Sequence, residues 1–150
     1  MTLVFGYGSN MDDGQMDTRC PNREKIGIAV LRNYRLCFPR LSQNRGCGVS
    51  SVEPAAGGEV WGVVHRLNEA DLRSLDKSEG LRPGRGAEAN GYNRISITVE
   101  LKGSLIEVQT YIAVATKNPP APNIQYLTHI RNGAQQHNLP DSYREWLAKL

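Results

Sequence analysis

The sequence predicts an α+β fold in which a small mixed β-barrel is flanked by helices. Segments with strand character fill roughly the first two-thirds of the chain, whereas amphipathic helical patterns are few. This arrangement differs from the regular alternation of strands and helices that builds a parallel sheet. About six strands around one core would be enough to close a small barrel. At 150 residues, the whole chain 1–150 is expected to form a single domain.

The elements before the first long helix are mostly strands. The segments with strand character are Leu3–Phe5, Lys25–Phe38, Cys47–Val52 and Glu59–Leu67. The polar segment Asp12–Arg19 predicts a short helix, and Asn33 marks a bend or bulge. Glu53-Pro54 and Gly57-Gly58 predict a break between the last two strands. Gly62, in the middle of a strand, indicates a bulge or a close approach of two backbones.

The first long helix has clear signals at both ends. Asn68 can cap its N-terminus, and Asp71 can reach back to complete a capping box. Gly80 predicts the C-terminal stop. These signals place Glu79 in the last turn of the helix.

The remainder of the chain combines a hairpin with two helices. Residues Leu81–Gly91 predict a mobile loop that is long enough for a lid or a specificity element. The strands Tyr92–Leu101 and Leu105–Ala115 form the hairpin. Ile124, Leu127 and Ile130 mark an amphipathic helix with Gly133 weakening its second half. A last helix starts at Leu139-Pro140-Asp141.

Composition excludes several classes of protein. The net charge of +3 is too small and too dispersed to indicate nucleic-acid binding. No apolar run approaches the ~20 residues of a membrane span, and no signal peptide is expected because Met1 leads directly into a strand. The three cysteines show neither disulfide nor zinc spacing. A cytoplasmic protein without a metal is therefore expected.

The segment that follows the first strand is the first candidate for a binding site. Tyr7-Gly8-Ser9-Asn10 places glycine and short polar residues at the end of an apolar strand. Free amide N–H groups in such a loop can hold a carboxylate or a phosphate. An ordinary Gly/Ser/Asn turn is the alternative, and this segment alone does not decide between them.

Glu79 is the best single candidate for chemistry. A carboxylate at a helix C-terminus meets the negative end of the helix dipole, and a dry environment would disfavour its charge further. Both effects raise the pKa toward the range that a proton shuttle needs. A solvated surface glutamate is the alternative.

Taken together, these motifs resemble the γ-glutamylcyclotransferase family. The matching segments are Tyr7-Gly8-Ser9-Asn10-Met11, Gly58-Glu59-Val60-Trp61-Gly62 and Leu75-Asp76-Lys77-Ser78-Glu79-Gly80, followed by Tyr92, Tyr111 and Tyr126 through Tyr143. The order and spacing of these segments cover nearly the whole chain. The interval between Glu79 and Tyr92, filled here by Leu81–Gly91, is longer than is usual in the family.

The resemblance implies a compact mixed β-barrel and a cyclisation that releases 5-oxoproline from a small γ-glutamyl compound, with no cofactor. It implies Glu79 as the general acid and base. Substrate contacts are expected from Tyr7, Gly8, Ser9 and Asn10, and Tyr92 and Tyr126 would line the pocket or position Glu79. γ-Glutamyl amino acids, γ-glutamylamines and glutathione remain alternatives for the substrate, as do monomer and homodimer for the assembly.

The residues leave two other functional classes open. The fold can serve as a non-catalytic module that binds a small molecule, since proteins can keep a fold after losing its catalytic activity. A cysteine hydrolase using Cys20 or Cys47 with His65 is the third hypothesis, but no orienting partner pattern accompanies these residues.

Overall fold

A computed structural model describes all residues from Met1 to Leu150. The strands are β1 (Thr2–Gly6), β2 (Glu24–Ser42), β3 (Cys47–Leu67), β4 (Tyr92–Leu101) and β5 (Ser104–Ala113). The α-helices are α1 (Asp13–Arg19), α2 (Glu69–Ser78), α3 (Ile124–Gln136) and α4 (Asp141–Ala148), and short 3-10 helices span Ser9–Met11 and Ala87–Ala89. None of the helices has the length and apolar character needed to cross a bilayer.

The strands form a closed barrel in the order β1-β3-β2-β4-β5, which confirms the predicted α+β barrel with flanking helices. Neighbouring strands are antiparallel except at the closure, where β1 runs parallel to β5. The β4–β5 hairpin turns at Lys102 and Gly103, which both have positive φ angles of 51° and 78°. Two such residues give a turn whose twist matches that of the strands.

Helices pack against both faces of β1 because successive side chains of a strand point in opposite directions. Phe5 belongs to the main core, which also contains Tyr126 and Ile130 of α3. Val4 belongs to a smaller cluster, together with Met16 of α1 and with residues of α2. The C-terminal end of β1 therefore lies between the two groups of helices, and the loop that follows it is held on both sides.

The predicted break between Cys47–Val52 and Glu59–Leu67 is wrong, since both belong to the single strand β3. Gly57 has a positive φ of 77° and Asn33 of 65°. The Asn33 side chain accepts a hydrogen bond from the Gly57 N–H over 3.0 Å. Asn33 and Gly57, both in the left-handed backbone conformation, therefore form opposing bulges in the β2–β3 ladder. These bulges bend the paired strands instead of ending them. This merger also leaves five strands in place of the six expected.

Two glycines allow close contacts that position the loop after β1. A Cβ atom at Gly62 would lie 2.3 Å from the Gly6 carbonyl oxygen, so the predicted close approach is confirmed. Gly133 does not end α3, which continues to Gln136. A Cβ atom at Gly133 would lie 2.4 Å from Cβ of Met11, and its absence lets α3 cross directly over the 3-10 turn.

Candidate functional site

The loop predicted to bind an anion forms the wall of a cavity. Gly8 precedes the 3-10 turn Ser9–Met11, in which Met11 N–H donates to the Gly8 carbonyl over 3.1 Å. The backbone N–H groups from Tyr7 to Asn10 donate to no protein acceptor. Unpaired donors at the start of a helical turn attract negative oxygen atoms. The inner cavity, as we name it, is lined by Phe5, Gly6, Tyr7, Gly8, Ser9, Asn10, Ser50, Glu79, Tyr92, Tyr111 and Tyr126.

Glu79 is placed by the end of α2. The Gly80 N–H donates to the Lys77 carbonyl and the Leu81 N–H to the Asp76 carbonyl, with Gly80 at a φ of 73°. These paired bonds form the Schellman arrangement that ends a helix at a left-handed glycine. The helix end therefore fixes the backbone of Glu79, and its carboxyl group is the only one among the residues that line the inner cavity.

The Glu79 side chain is mostly but not fully buried, with 12% of its surface exposed. Burial raises the pKa of this carboxyl group, and nearby Asp76 adds to the rise, whereas Asn10, Arg19 and Arg45 oppose it. The group therefore holds a proton more firmly than a solvated glutamate does, in the direction expected for a carboxyl group in a dry environment. The largest cause is the loss of water around the charge.

Asn10 orients this carboxyl group. Its Nδ2 donates to Glu79 Oε1 over 2.5 Å. Its Oδ1 accepts from Arg19 over 2.9 Å and from Gln15 over 3.2 Å. The amide can satisfy both contacts in only one of its orientations, because nitrogen donates and oxygen accepts. Asn10 is thus engaged with Glu79, which the sequence reasoning did not foresee.

Ser50 joins three of the predicted site residues, although no sequence signal distinguished it. Its N–H donates to the Tyr126 hydroxyl over 2.9 Å, and its carbonyl accepts from the Tyr92 hydroxyl over 2.6 Å. A Cβ atom at Gly8 would lie 2.2 Å from Ser50 Oγ. Ser50, a single residue of β3, therefore contacts both tyrosines and the glycine loop, which we define as Tyr7–Asn10.

Tyr7 and Tyr111 both line the inner cavity. The Tyr7 hydroxyl donates to the Tyr111 carbonyl over 2.5 Å, so the side chain of Tyr7 is occupied by a structural contact. The Tyr111 hydroxyl donates to Asp76 over 2.5 Å, and Asp76 also accepts from Arg94. The sequence predicts Tyr111 as part of a matching strand but not as a site residue, because its neighbours come from distant parts of the chain.

The loop Leu81–Gly91 does not line the site along its length. Asn90 holds it from within, accepting hydrogen bonds from the Arg82 N–H and from the Arg85 side chain. Only Gly91, at the end of the loop, lines a cavity next to Glu79. The geometry therefore does not support the predicted role of this loop as a specificity element.

The cysteine and histidine residues lie elsewhere. The Cys20 thiol donates to the Asp71 carbonyl, and burial raises the pKa of this thiol to about 12. Asp71 accepts from the Asn22 N–H instead of completing the predicted capping box. His65 packs edge-on against His137, and burial lowers the pKa of His65 to about 4. Neither Cys20 nor Cys47 forms a hydrogen bond with His65, so the structure does not support the cysteine hydrolase hypothesis.

The chain is similar to several known proteins in sequence and in fold. A family model described as the AIG2-like family matches residues 59–147. The chain is 32% identical to human γ-glutamylcyclotransferase, covering 99% of this chain and 78% of the human protein. The mouse protein of that name is 30% identical with the same coverage. A solved structure of a γ-glutamyl cyclotransferase superposes with a TM-score of 0.88 at 30% identity, covering 99% of this chain and 87% of that one.

Proposed function

The chain belongs to the AIG2-like family and is an enzyme of the γ-glutamylcyclotransferase type, and from this premise we propose that it cyclises a γ-glutamyl compound to 5-oxoproline with Glu79 as the proton shuttle. One observation carries the assignment to Glu79. A single carboxyl group, mostly buried and with a raised pKa, lines the inner cavity beside a row of unpaired backbone N–H groups. A γ-glutamyl head presents groups that match both features, namely an α-carboxylate and an α-ammonium.

In the proposed binding mode, the N–H groups of Tyr7 to Asn10 hold the α-carboxylate. Gly8 allows this approach because it has no side chain. The α-ammonium then faces the carboxylate of Glu79. Tyr92 and Tyr126 close the side of the cavity, and their hydroxyl groups remain bound to Ser50.

The reaction needs one proton carrier. Glu79 takes a proton from the α-ammonium, and the resulting amine attacks the γ-carbonyl carbon. A ring C–N bond forms, the γ-amide C–N bond breaks, and protons pass through Glu79 to the departing nitrogen. The protons lost by the ammonium equal those gained by the leaving amine, so the carboxylate is regenerated.

Much of the acceleration comes from holding the substrate in a folded rotamer. The nucleophile and the carbonyl belong to the same molecule, and alignment of such groups contributes about 7–11 kcal/mol in well-oriented intramolecular reactions. The fixed positions of Ser50 and Asn10 serve this purpose, since the groups that they hold need little rearrangement when substrate binds.

The test is an incubation of purified protein with a panel of γ-glutamyl compounds, with products identified by mass. Release of 5-oxoproline together with the free amine is the expected result. Binding of these compounds without any 5-oxoproline would instead support the non-catalytic module.

A further inference from the structure

A second cavity adjoins the inner one and shares part of its lining. This outer cleft has a volume of about 510 Å³. It shares Ser9, Glu79, Tyr92 and Tyr126 with the inner cavity. A γ-glutamyl head bound at the glycine loop would therefore direct its amide substituent into the outer cleft.

The outer cleft is strongly biased toward positive charge. Three arginines line it, Arg19, Arg40 and Arg45, and the only carboxyl group among its lining residues is that of Glu79. Arg19 lies 4.0 Å from Glu79. Arg40 and Arg45 form no ion pair with any carboxylate of the chain. The positive charges of Arg40 and Arg45 thus line a concave surface and are not paired with a carboxylate of the protein. Such a surface attracts anions.

Neutral groups of the protein hold these two arginines in place. The Arg45 guanidinium lies 5.2 Å from the centre of the Tyr126 ring and donates to Gln15 over 2.6 Å. The Asn123 side chain donates to the Arg45 carbonyl over 3.1 Å. Arg40 donates to the Val114 carbonyl over 3.0 Å. Each guanidinium keeps further N–H donors, and a fixed planar fork suits a carboxylate.

We propose that Arg40 and Arg45 determine the leaving-group specificity by binding a carboxylate on the departing amine. This inference rests on the proposed function and refines it. Among the γ-glutamyl compounds that the sequence leaves open as substrates, this proposal favours those whose leaving group is an amino acid or a peptide. It disfavours γ-glutamylamines, above all those with a cationic tail, because a second positive charge would enter a cleft that already holds uncompensated arginines.

The experiment compares substrates that differ only in charge. The probes are γ-glutamyl-alanine, the nearly isosteric γ-glutamyl-alaninamide, and γ-glutamylputrescine, each assayed for 5-oxoproline. Loss of one charge-assisted contact to a carboxylate costs about tenfold or more. The wild-type kcat/KM is therefore expected to favour alanine over alaninamide by at least about tenfold, and to be lowest for putrescine.

Variants assign this preference to the two arginines. Arg40→Met and Arg45→Met are each expected to reduce the ratio of kcat/KM between alanine and alaninamide to a few-fold, with Arg45→Lys restoring part of it. The ratio is the readout because Arg45 also lowers the pKa of Glu79, which affects all substrates alike. Arg66→Met is the matched control, since Arg66 pairs with Glu24 and neither residue lines the cleft, and its ratio should equal that of the wild type.

The possible failures are distinguishable. Release of 5-oxoproline from all three probes, with a ratio near one or a ratio that neither methionine variant changes, would overturn this inference and leave the proposed function intact. Absence of 5-oxoproline from every probe would overturn the proposed function and the inference with it.

Discussion

The backbone N–H of Tyr92 donates to the backbone carbonyl of Glu79 over 3.0 Å, although a long loop separates the two residues in sequence. The Gly91 N–H also donates to the Gly80 carbonyl over 3.2 Å. The two ends of the loop are therefore hydrogen-bonded to each other, and Asn90 links residues within the loop. Because loop closure cost grows slowly with length, a loop of this length is compatible with the position of Tyr92 beside Glu79.

The first prediction concerns the proton shuttle. Glu79→Gln keeps the size of the side chain but cannot accept a proton. Since general acid–base groups typically contribute about 10²–10⁴-fold, we expect turnover to fall by at least about 10²-fold. The measurement is steady-state release of 5-oxoproline. Glu69→Gln, at the exposed start of the same helix, is the matched control and should retain activity.

Thermal unfolding separates this loss from misfolding. Burial raises the pKa of Glu79 in the folded state, so the wild-type protein loses stability as pH rises through that pKa. Glutamine does not titrate. The Tm of Glu79→Gln relative to that of the wild type should therefore rise with pH. A variant whose Tm lies below that of the wild type at every pH, by an amount that accounts for its lost activity, would contradict the assignment.

The second prediction concerns pH dependence. Glu79 must be ionised to accept a proton, so kcat/KM should decline on the acid side at a pH above the ordinary pKa of a glutamate. Asn10 and Arg19 both oppose the rise in the pKa of Glu79. Arg19→Met removes one of these effects and should move the acid limb of the profile to higher pH. An acid limb at the same pH in both proteins would show that another group controls it.

The sequence was sufficient to predict most of the fold and most of the residues that the structure brings together around the inner cavity. Gly80 specified where α2 ends, and this placed Glu79. The β3 strand was divided wrongly because Gly57-Gly58 has the composition of a turn, and only the pairing with Asn33 makes it a bulge. Ser50 could not be identified, since a serine in an apolar strand carries no signal until Tyr92 and Tyr126 approach it from elsewhere in the chain.

The third prediction tests the contact between the glycine loop and Ser50. Gly8→Ala would place a methyl group 2.2 Å from Ser50 Oγ. We expect lower activity and a stability loss of about 1–3 kcal/mol, typical of overpacking. Ser50→Ala removes the clashing oxygen and leaves the next atom 3.4 Å away. The double variant should therefore be more stable than Gly8→Ala alone in denaturant unfolding, and strictly additive losses would contradict the contact.

The fourth prediction compares two helical glycines. Replacement of glycine by alanine inside a helix normally stabilises it by roughly 0.8–1.0 kcal/mol. At Gly14 of α1, the new Cβ would meet only Asp12 Oδ1 at 3.4 Å, so Gly14→Ala should be neutral or stabilising. At Gly133 of α3, it would meet the Met11 carbonyl carbon at 2.6 Å and the Asp12 nitrogen at 2.9 Å.

Those neighbours of Gly133 are backbone atoms of the segment that follows Asn10, so they cannot move aside without moving the site. Gly133→Ala should therefore destabilise the protein by more than about 1 kcal/mol and lower turnover, whereas Gly14→Ala does neither. Urea unfolding and 5-oxoproline release, measured on both variants, provide the comparison. Equal effects of the two substitutions would mean that α3 does not hold the glycine loop in place.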